Sequence, residues 1–325
     1  MKVAVYHNNK DVRVEERDRP SIQDGEILVK VISSGICGTD VMEWYRIKKA
    51  PGILGHEIAG EIVESKSEKY KVGDRVFVSH HVPCDECKYC LDDNHTACST
   101  LHSGNYDPGG FAEYVRVPKL NVEKGTYILP SNVSFDQGTM IEPLACCVRG
   151  QRVIDVKKGH TVLILGCGIS GLQNIVIAKL KGAKVIATDI NEERLRKAKE
   201  FGADEVVNAS ASIDVKADRV IVCAGAYAAV EQAFKSVDKK GKILFFAIPS
   251  KNIELPTVDF WRNEISVVSS YGAAPVDLAE SLELISNGKL PNMITHRFSL
   301  DEIQKGFDIV ASAKDSLKVV VEPNN

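Results

Sequence analysis

Residues 161–189, TVLILGCGISGLQNIVIAKLKGAKVIATD, decide the fold of this 325-residue chain. TVLILG is a continuous apolar strand, GLQNIVIAKLKG has helical spacing, and AKVIATD is a second strand. The same rhythm continues through an amphipathic helix (NEERLRKAKEFG), two strands (EVVN and DRVIVCAG), a helix (AAVEQAFKSVDKKG) and a strand (KILFFA). Strands that alternate with helices in this way predict an α/β domain with a parallel, doubly wound sheet over residues 150–270.

A glycine-rich turn lies between the first strand and helix of this domain. Gly166, Gly168 and Gly171 form G-x-G-x-x-G, and Asp189 ends the next strand. In this context the glycines permit a tight turn and close approach of a pyrophosphate, and the carboxylate favours NAD over NADP. The alternative is a plain turn with Asp189 as a helix cap. The predicted cofactor contacts are Gly166, Gly168, Ile169, Ser170, Gly171, Asp189 and Arg194.

Four of the nine cysteines lie close together in the sequence PCDECKYCLDDNHTACS. Cys84, Cys87, Cys90 and Cys98 have the spacing C-x2-C-x2-C-x7-C, which suits a closed, tetrahedral zinc site of the structural type. An iron–sulfur cluster or four reduced thiols are the alternatives. The odd number of cysteines argues against a disulfide framework.

A second set of metal-ligand residue types is spread over the first half of the chain. Cys37 lies in SSGICGTDVMEW, His56 and Glu57 lie in GILGHEIAGEI, and Glu142 lies in MIEPLACCVRG. Cys, His and Glu are a mixed set suited to zinc, and three firm ligands leave one position open for water or substrate, which is a catalytic geometry. The alternative is a buried cysteine, a core histidine and two surface glutamates.

Composition excludes several other classes of protein. A net charge of -3, with 41 basic and 44 acidic residues, argues against a nucleic-acid surface. The longest apolar stretch is broken by glycines, Gln173 and Asn174, so no membrane span is expected. The N-terminus leads directly into a strand pattern without a signal peptide, so we expect a cytoplasmic protein.

The ordered motifs resemble the zinc-containing medium-chain dehydrogenases, in particular the sorbitol (polyol) and threonine dehydrogenase branch. The motifs are GICGTD, LGHEIAGEIVE, VGDRVFV, the four-cysteine lobe, GGFAEYVRVP, EPLACCVRG, LGCGISGL, ATDI and the tail LISNGKL to LKVVVEP. The resemblance implies a discontinuous GroES-like β-barrel catalytic domain (1–149 and 271–325), a Rossmann domain (150–270) and an active site in the cleft between them. It also implies a homotetramer, or alternatively a homodimer.

Residue roles follow from this resemblance position by position. Cys37 and His56 match zinc ligands, and Glu57 and Glu142 match positions that hold the metal directly or through its water. Thr39 matches the hydroxyl that hydrogen-bonds the substrate oxygen and starts the proton relay, and Asp40 matches a carboxylate that orients the histidine. One catalytic zinc, one structural zinc and NAD are therefore expected in each subunit.

The implied activity is reversible hydride transfer between a polyol or secondary alcohol and NAD. Met42 stands where many members have a relay histidine, so we expect the proton to leave through ribose hydroxyls or water. The loop from Cys37 to His56 is also several residues shorter than in typical members. L-Threonine 3-dehydrogenase and a non-catalytic NAD-binding protein are the alternative functions.

Overall fold

The computed structural model describes residues 1–211, 213–314 and 316–325. The strands are β1 (Lys2–Asn8), β2 (Asp11–Glu16), β3 (Ile27–Ile36), β4 (Gly52–Ile53), β5 (Glu57–Ser65), β6 (Arg75–Ser79), β7 (Tyr114–Val117), β8 (Thr126–Ile128), β9 (Thr161–Leu165), β10 (Lys184–Asp189), β11 (Glu205–Asn208), β12 (Ala217–Val222), β13 (Val237–Phe245), β14 (Ser266–Ser269), β15 (Ile294–Ser299) and β16 (Lys318–Glu322). The α-helices are α1 (Glu43–Arg46), α2 (Lys88–Leu91), α3 (Ser99–Ser103), α4 (Lys119–Gly125), α5 (Phe135–Thr139), α6 (Ile141–Val153), α7 (Ile169–Leu180), α8 (Glu192–Glu200), α9 (Tyr227–Ser236), α10 (Thr257–Asn263), α11 (Pro275–Ser286) and α12 (Ile303–Ser312). Short 3-10 helices cover Ile47–Lys49, His95–Ala97 and Leu300–Glu302.

The first compact unit is discontinuous in sequence and comprises Met1–Pro143, Ala273–Gly288 and Asn292–Asn325. Its main sheet has the strand order β15-β16-β3-β5-β6-β8, with β7 also paired to β3, and a smaller sheet has the order β2-β1-β4. Because β16 pairs antiparallel with β3, the C-terminal segment belongs to the same unit as the N-terminal strands.

The core of this unit forms where neighbouring strands direct β-branched side chains to one face. Successive side chains of a strand alternate between the two faces of the sheet. In β3, Ile27, Val29 and Val31 therefore share one face, and all three are fully buried. Their partners in this hydrophobic cluster are Ile58, Ile62, Tyr70, Val76, Val78, Tyr106, Val115, Val117 and Val122.

The second compact unit comprises Leu144–Gly272 and Lys289–Pro291. Its six strands are all parallel and have the order β11-β10-β9-β12-β13-β14. This is the doubly wound dinucleotide-binding order, with the reversal of strand order between β9 and β12. The predicted fold class, α/β with a Rossmann domain, is confirmed.

Two boundaries differ from the sequence-based expectations. Helix α6 continues from the first unit into the second, so the first unit ends at Pro143 and not at residue 149. The helix predicted over residues 228–241 ends at Ser236, where β13 begins. Val237 is buried in the core and pairs with Ala217 of β12. Because this pairing requires an extended backbone, the helix ends before Val237.

Within the described ranges, no helix combines the length and the apolar character that crossing a membrane requires.

Candidate active site

The pairing of β3 with β5 brings three of the predicted ligands together. Gly35 of β3 lies opposite Glu57 of β5, so Cys37, just beyond β3, lies near His56, just before β5. One ligand atom from each of Cys37, His56 and Glu57 lies within 4.8 Å of the other two. A thiolate, an imidazole and a carboxylate at this separation form a donor set that zinc accepts.

The Asp40 carboxylate contacts two members of this metal-ligand group, Cys37 and His56. This buried carboxylate accepts a hydrogen bond from the Cys37 backbone N–H at 3.0 Å and lies 3.4 Å from His56 Nδ1. Burial alone would raise the pKa of Asp40, but the attraction of His56 and Arg46 outweighs it, and the pKa is lowered. With Nδ1 directed at Asp40, the other imidazole nitrogen of His56 remains for a metal.

The same carboxylate changes the protonation of His56. Burial would lower the pKa of this imidazole, but the negative charge of Asp40 and contact with Cys37 outweigh burial and raise the pKa well above its usual 6.5. In the metal-free protein these neighbours therefore favour the protonated, cationic form of the His56 imidazole. A cation is thus favoured at this position, which fits a metal site.

Glu57 has a buried cationic partner that the motifs did not reveal. Its Oε2 pairs with Lys318 Nζ of β16, whose side chain is only 3% exposed and whose Nζ also donates to Ile36 O at 3.4 Å. Burial would lower the pKa of Lys318, but the attraction of Glu57 and Cys37 outweighs burial and raises it, so Lys318 stays charged. The pairing with Lys318 engages Oε2 of Glu57 and leaves its other oxygen, Oε1, outside this contact.

The second oxygen of Glu57 supplies an independent test of the metal hypothesis. Glu57 Oε1 is buried and has no hydrogen-bond partner within the described part of the chain. An unsatisfied buried carboxylate oxygen is costly unless something binds it. Zinc held by Cys37 and His56 would satisfy this oxygen, so the residues present fit the metal.

Replacing Lys318 with methionine is expected to destabilise the metal-free protein by about 3–5 kcal/mol, because Glu57 would remain buried without its partner. Urea unfolding monitored by circular dichroism measures this loss. The matched control is Lys305→Met, which breaks an exposed ion pair to Glu302 and should change the stability far less than Lys318→Met does. Equal effects of the two substitutions would contradict the role of the buried pair.

Glu142, the other carboxylate predicted for this site, is not a member of the group of atoms within 4.8 Å. It lies in the first turn of α6 and is 8% exposed. Its charge is nevertheless felt nearby: burial first, and then Glu142, raise the pKa of Tyr106, and Glu142 also favours the charged form of Lys318. Glu57 therefore lies within the metal-ligand group and Glu142 lies outside it, whereas the sequence did not distinguish these two glutamates as ligands.

Thr39 and its surroundings complete this side of the group. Its backbone N–H donates to Cys37 Sγ at 3.4 Å, and its hydroxyl oxygen Oγ1 accepts a hydrogen bond from Arg46 Nη2 at 3.1 Å. Arg46 lies on the loop between Cys37 and His56, outside the motifs that identify the site residues. The hydrogen bonds of Arg46 to Thr39 depend on how the shortened loop folds, and the spacing of the motifs does not show that fold.

Three histidines outside the predicted ligand set, His80, His81 and His102, fall into two kinds. His102 is satisfied locally, with Nε2 at 2.9 Å from Thr96 O. His80 is buried beside the metal-ligand group, its ring centroid 5.0 Å from that of His56 and 3.6 Å from that of His81. Burial lowers the pKa of His80 well below 6.5, so this imidazole is neutral near pH 7.

The four-cysteine lobe has the dimensions of a zinc–thiolate site. The Sγ atoms of Cys84 and Cys98 are 3.5 Å apart, those of Cys87 and Cys90 are 3.6 Å apart, and those of Cys84 and Cys90 are 4.0 Å apart. Thiolates about 2.3 Å from zinc in a tetrahedron lie about 3.8 Å from one another. Burial opposes ionisation of Cys98, but backbone N–H groups outweigh it and lower its pKa to about 6. This lobe fits a closed tetrahedral metal site.

The glycine loop of the second unit has the geometry that a dinucleotide requires. Gly166 has a φ of +101°, and a Cβ at Gly171 would lie 1.9 Å from Gly166 O, so neither position tolerates a side chain well. A Cβ at Gly168, in contrast, would meet nothing within 4 Å. This open space lies at the N-terminus of α7, where backbone N–H groups favour phosphates.

The remaining predicted cofactor residues surround this loop. Asp189 Oδ2 accepts from the Cys167 backbone N–H at 2.8 Å, and Oδ1 accepts from the Asn191 N–H at 2.9 Å, so the carboxylate is fixed at the end of β10. Arg194 Nη1 lies 4.0 Å from Asp189 Oδ2. Ile169 and Ser170 form the first turn of α7. The residues present fit a dinucleotide.

A parallel sheet with this loop, in a chain that also carries a Cys/His/Glu ligand group, defines a metal-containing, dinucleotide-dependent oxidoreductase. The chain belongs to the zinc-binding dehydrogenase family: residues 23–127 match "Alcohol dehydrogenase GroES-like domain" and residues 171–287 match "Zinc-binding dehydrogenase". The resemblance drawn from the motifs is confirmed, as are its implications of zinc and NAD(P) as cofactors and of an oxidoreductase that acts on CH–OH groups.

Individual relatives cover almost the whole chain. A sorbitol dehydrogenase from Bacillus subtilis (strain 168) is 31% identical over 100% of this chain and 98% of its own length. A (R,R)-butanediol dehydrogenase from the same organism is 31% identical, with 100% of both chains covered. The crystal structure of a zinc-binding dehydrogenase from Sinorhizobium meliloti 1021 bound to NADP has a TM-score of 0.88 at 29% identity and covers 99% of both chains.

Proposed function

We propose that this protein is a zinc- and NAD-dependent dehydrogenase that interconverts a polyol or secondary alcohol and the corresponding ketone. The observation that carries the proposal is the group formed by Cys37, His56 and Glu57, in which one buried carboxylate oxygen has no hydrogen-bond partner among the residues that the structure describes. The balanced reaction is alcohol plus NAD+ giving ketone, NADH and one proton. A non-catalytic family member would have no need for an intact ligand set of this kind.

We assign Cys37, His56 and Glu57 as the residues that would hold the catalytic zinc. When bound, zinc supplies a Lewis acid that favours loss of the alcohol's hydroxyl proton. Asp40 acts through His56, whose orientation it fixes, and Lys318 balances the charge of Glu57. Thr39 hydrogen-bonds the substrate oxygen. Glu142 remains a nearby carboxylate with an indirect role, for example through water.

The second zinc is assigned to Cys84, Cys87, Cys90 and Cys98. Four thiolates fill the tetrahedral coordination of zinc and leave no open position, so the role of this metal is to stabilise the lobe. The lobe has only a small apolar cluster of its own, formed by these cysteines and Leu101. We therefore expect its folding to depend on the metal.

We propose NAD as the preferred cofactor. The Asp189 carboxylate, at the end of β10, would accept hydrogen bonds from both ribose hydroxyls and repel a 2′-phosphate. Gly166, Gly168, Ile169, Ser170 and Gly171 form the loop and first helical turn that would receive the pyrophosphate. Arg194 lies near Asp189. If that carboxylate were removed, the Arg194 guanidinium would favour binding of the 2′-phosphate of NADP. A comparison of kcat/KM for the two cofactors measures the preference.

The contacts of Arg46 support an unphosphorylated substrate. A phosphate-binding arginine presents its guanidinium to the pocket, whereas Arg46 donates to Thr39 and Asp40 and its side chain is only 15% exposed. A polyol or a simple secondary alcohol therefore suits this loop better than a polyol phosphate. L-Threonine is the second candidate, disfavoured by Met42 in place of a histidine and by the short loop.

We further propose a homo-oligomer, a homotetramer or a homodimer, that forms through the second unit. Strand β14 is one of the two edge strands of the parallel sheet, and exposed sheet edges pair readily with other strands. This unit also exposes several large apolar side chains, namely Ile248, Leu255, Val258, Trp261, Val267 and Tyr271. Analytical ultracentrifugation measures the oligomeric state.

All nine cysteines are free, which supports a reducing, cytoplasmic location.

The activity is tested by following NADH formation with NAD or NADP and a panel of substrates. The panel contains sugar alcohols, their phosphates, 2,3-butanediol, simple secondary alcohols and L-threonine, each with and without a zinc chelator. We expect chelator-sensitive turnover of a free polyol or secondary alcohol. Turnover of L-threonine alone would favour the second candidate, and absence of turnover in protein with its full zinc content would contradict the proposal.

A further inference from the structure

Arg46 occupies an unusual position for a residue of a shortened loop. It ends α1, between Cys37 and His56, and its guanidinium is directed into the unit and away from solvent. Its Nε donates to Thr39 O at 3.0 Å, and its Nη2 donates to Thr39 Oγ1 at 3.1 Å and to Asp40 Oδ1 at 3.3 Å. Two of the three contacts are made to one residue, Thr39.

These contacts determine what the Thr39 hydroxyl can do. A hydroxyl has one hydrogen to donate and two lone pairs that accept. Because a guanidinium only donates, Arg46 fills one lone pair of Thr39 Oγ1 and leaves the hydrogen directed elsewhere. No other hydrogen bond to or from this hydroxyl is present among the described residues.

Neither Met42 nor Arg46 can accept a proton from the Thr39 hydroxyl, because a thioether is not a base near neutral pH and a guanidinium has only donors. A fixed positive charge 3.1 Å from Thr39 Oγ1 disfavours positive charge on that oxygen and favours negative charge on an atom that Thr39 contacts. The positive charge of Arg46 and the direction of its hydrogen bond to Thr39 therefore both favour a Thr39 hydroxyl that donates to a negatively charged atom.

We propose that Arg46 is a positioning residue that holds the Thr39 hydroxyl as a hydrogen-bond donor toward the substrate oxygen. This inference rests on the proposed function, in which Thr39 contacts that oxygen. A ketone oxygen can only accept hydrogen bonds, and an alcohol oxygen that loses its proton becomes a stronger acceptor. A preset donor thus stabilises the oxygen in both directions of the reaction without reorganisation.

Arg46 has a second contact through which it would act differently. It pairs with Asp40, which orients His56, so its removal could instead weaken metal binding. The two routes are separable because only one of them passes through the Thr39 hydroxyl. A double-mutant cycle between Arg46 and Thr39 isolates that route.

The experiment measures the binding of acetamide to the zinc-loaded protein in the presence of NADH by titration calorimetry. Acetamide is an unreactive stand-in for the ketone, with a carbonyl oxygen that accepts hydrogen bonds. Arg46→Met, Thr39→Val and the double variant form the cycle. Arg46→Lys is a second variant that keeps the charge if Arg46→Met fails to fold, and Lys48→Met is the matched control, an exposed cation of the same loop.

We expect each single variant to weaken acetamide binding about 10- to 100-fold, and the double variant to bind no more weakly than Thr39→Val alone. The kcat for alcohol oxidation should fall by a similar factor in Arg46→Met, with zinc content unchanged and KM for NAD within about twofold of the wild type. Lys48→Met should match the wild type in every measurement.

Additive effects in the cycle, loss of zinc from Arg46→Met and Arg46→Lys, or no binding of acetamide to the wild type would each overturn the inference. Failure of the proposed function gives a different result. In that case the wild type oxidises no alcohol of the panel, whereas the calorimetric cycle, which needs no turnover, still reports whether Arg46 acts through Thr39.

Discussion

Cys37→Ala is expected to remove one of two zinc ions per chain and to lower kcat for alcohol oxidation by roughly a thousandfold or more. Cys37 is one of three ligands, and its loss leaves His56 and Glu57 alone to hold a metal that prefers three protein ligands at a catalytic site. Lewis-acid stabilisation contributes several kcal/mol to the barrier, and each 1.36 kcal/mol is a factor of ten in rate. Elemental analysis of zinc and initial rates of NADH formation measure the two effects.

The control for this substitution is Cys98→Ser in the four-cysteine lobe. It should also reduce the zinc content from two to one, but it should lower the melting temperature, because that metal supports folding of the lobe. Cys37→Ala should leave the melting temperature of the metal-free protein nearly unchanged, since Cys37 is only partly buried. A Cys37→Ala protein that retains two zinc ions and full activity would refute the assignment.

Gly171→Ala is expected to destabilise the second unit by about 3 kcal/mol or more. Its Cβ would lie 1.9 Å from the backbone oxygen of Gly166 and 3.6 Å from Ile164 Cγ2, so the helix and the glycine turn must separate. This separation disturbs α7 where it packs on the parallel sheet. Thermal unfolding followed by circular dichroism measures the loss of stability.

Gly168→Ala is the matched comparison in the same loop. Gly168 has a φ of -69°, which any residue adopts, and its Cβ would project into open space. Stability should therefore change by less than about 0.5 kcal/mol, whereas the affinity for NAD should fall at least about tenfold, because the pyrophosphate needs this space. If the two alanine variants lost stability equally, the distinction between a packing glycine and a cofactor glycine would be wrong.

The parts of the molecule that the sequence predicted best are those whose partners are close in the chain. The four cysteines lie within one short segment, and the glycine turn connects a strand directly to its helix, so local spacing restricts their geometry. Alternating strands and helices likewise indicated the parallel sheet, because the period of apolar residues reports the type of each element. The overextended helix was an exception: residues 237–241 form the start of β13, and a charged segment of this kind suits a solvent-facing helix and an exposed strand end equally well.

The parts that the sequence did not predict depend on contacts between distant segments or on side-chain direction. Lys318 reaches Glu57 only because β16 pairs with β3, and no local pattern connects two residues so far apart. A lysine at the start of a fully buried apolar strand was the available signal. For Arg46 the loop position was evident, but whether its guanidinium faces solvent or Thr39 is decided by the fold of the loop.

Anomalous X-ray diffraction at the zinc edge shows whether Cys37, His56 and Glu57 together bind a catalytic zinc ion. We expect two anomalous peaks per chain, one among the four cysteines of the lobe and one bounded by Cys37 Sγ, an imidazole nitrogen of His56 and a carboxylate oxygen of Glu57. The expected distances are about 2.3 Å to sulfur and about 2.0–2.2 Å to nitrogen and oxygen. A single peak at the lobe, from crystals of protein that oxidises alcohols, would show that these three residues do not hold a catalytic zinc ion.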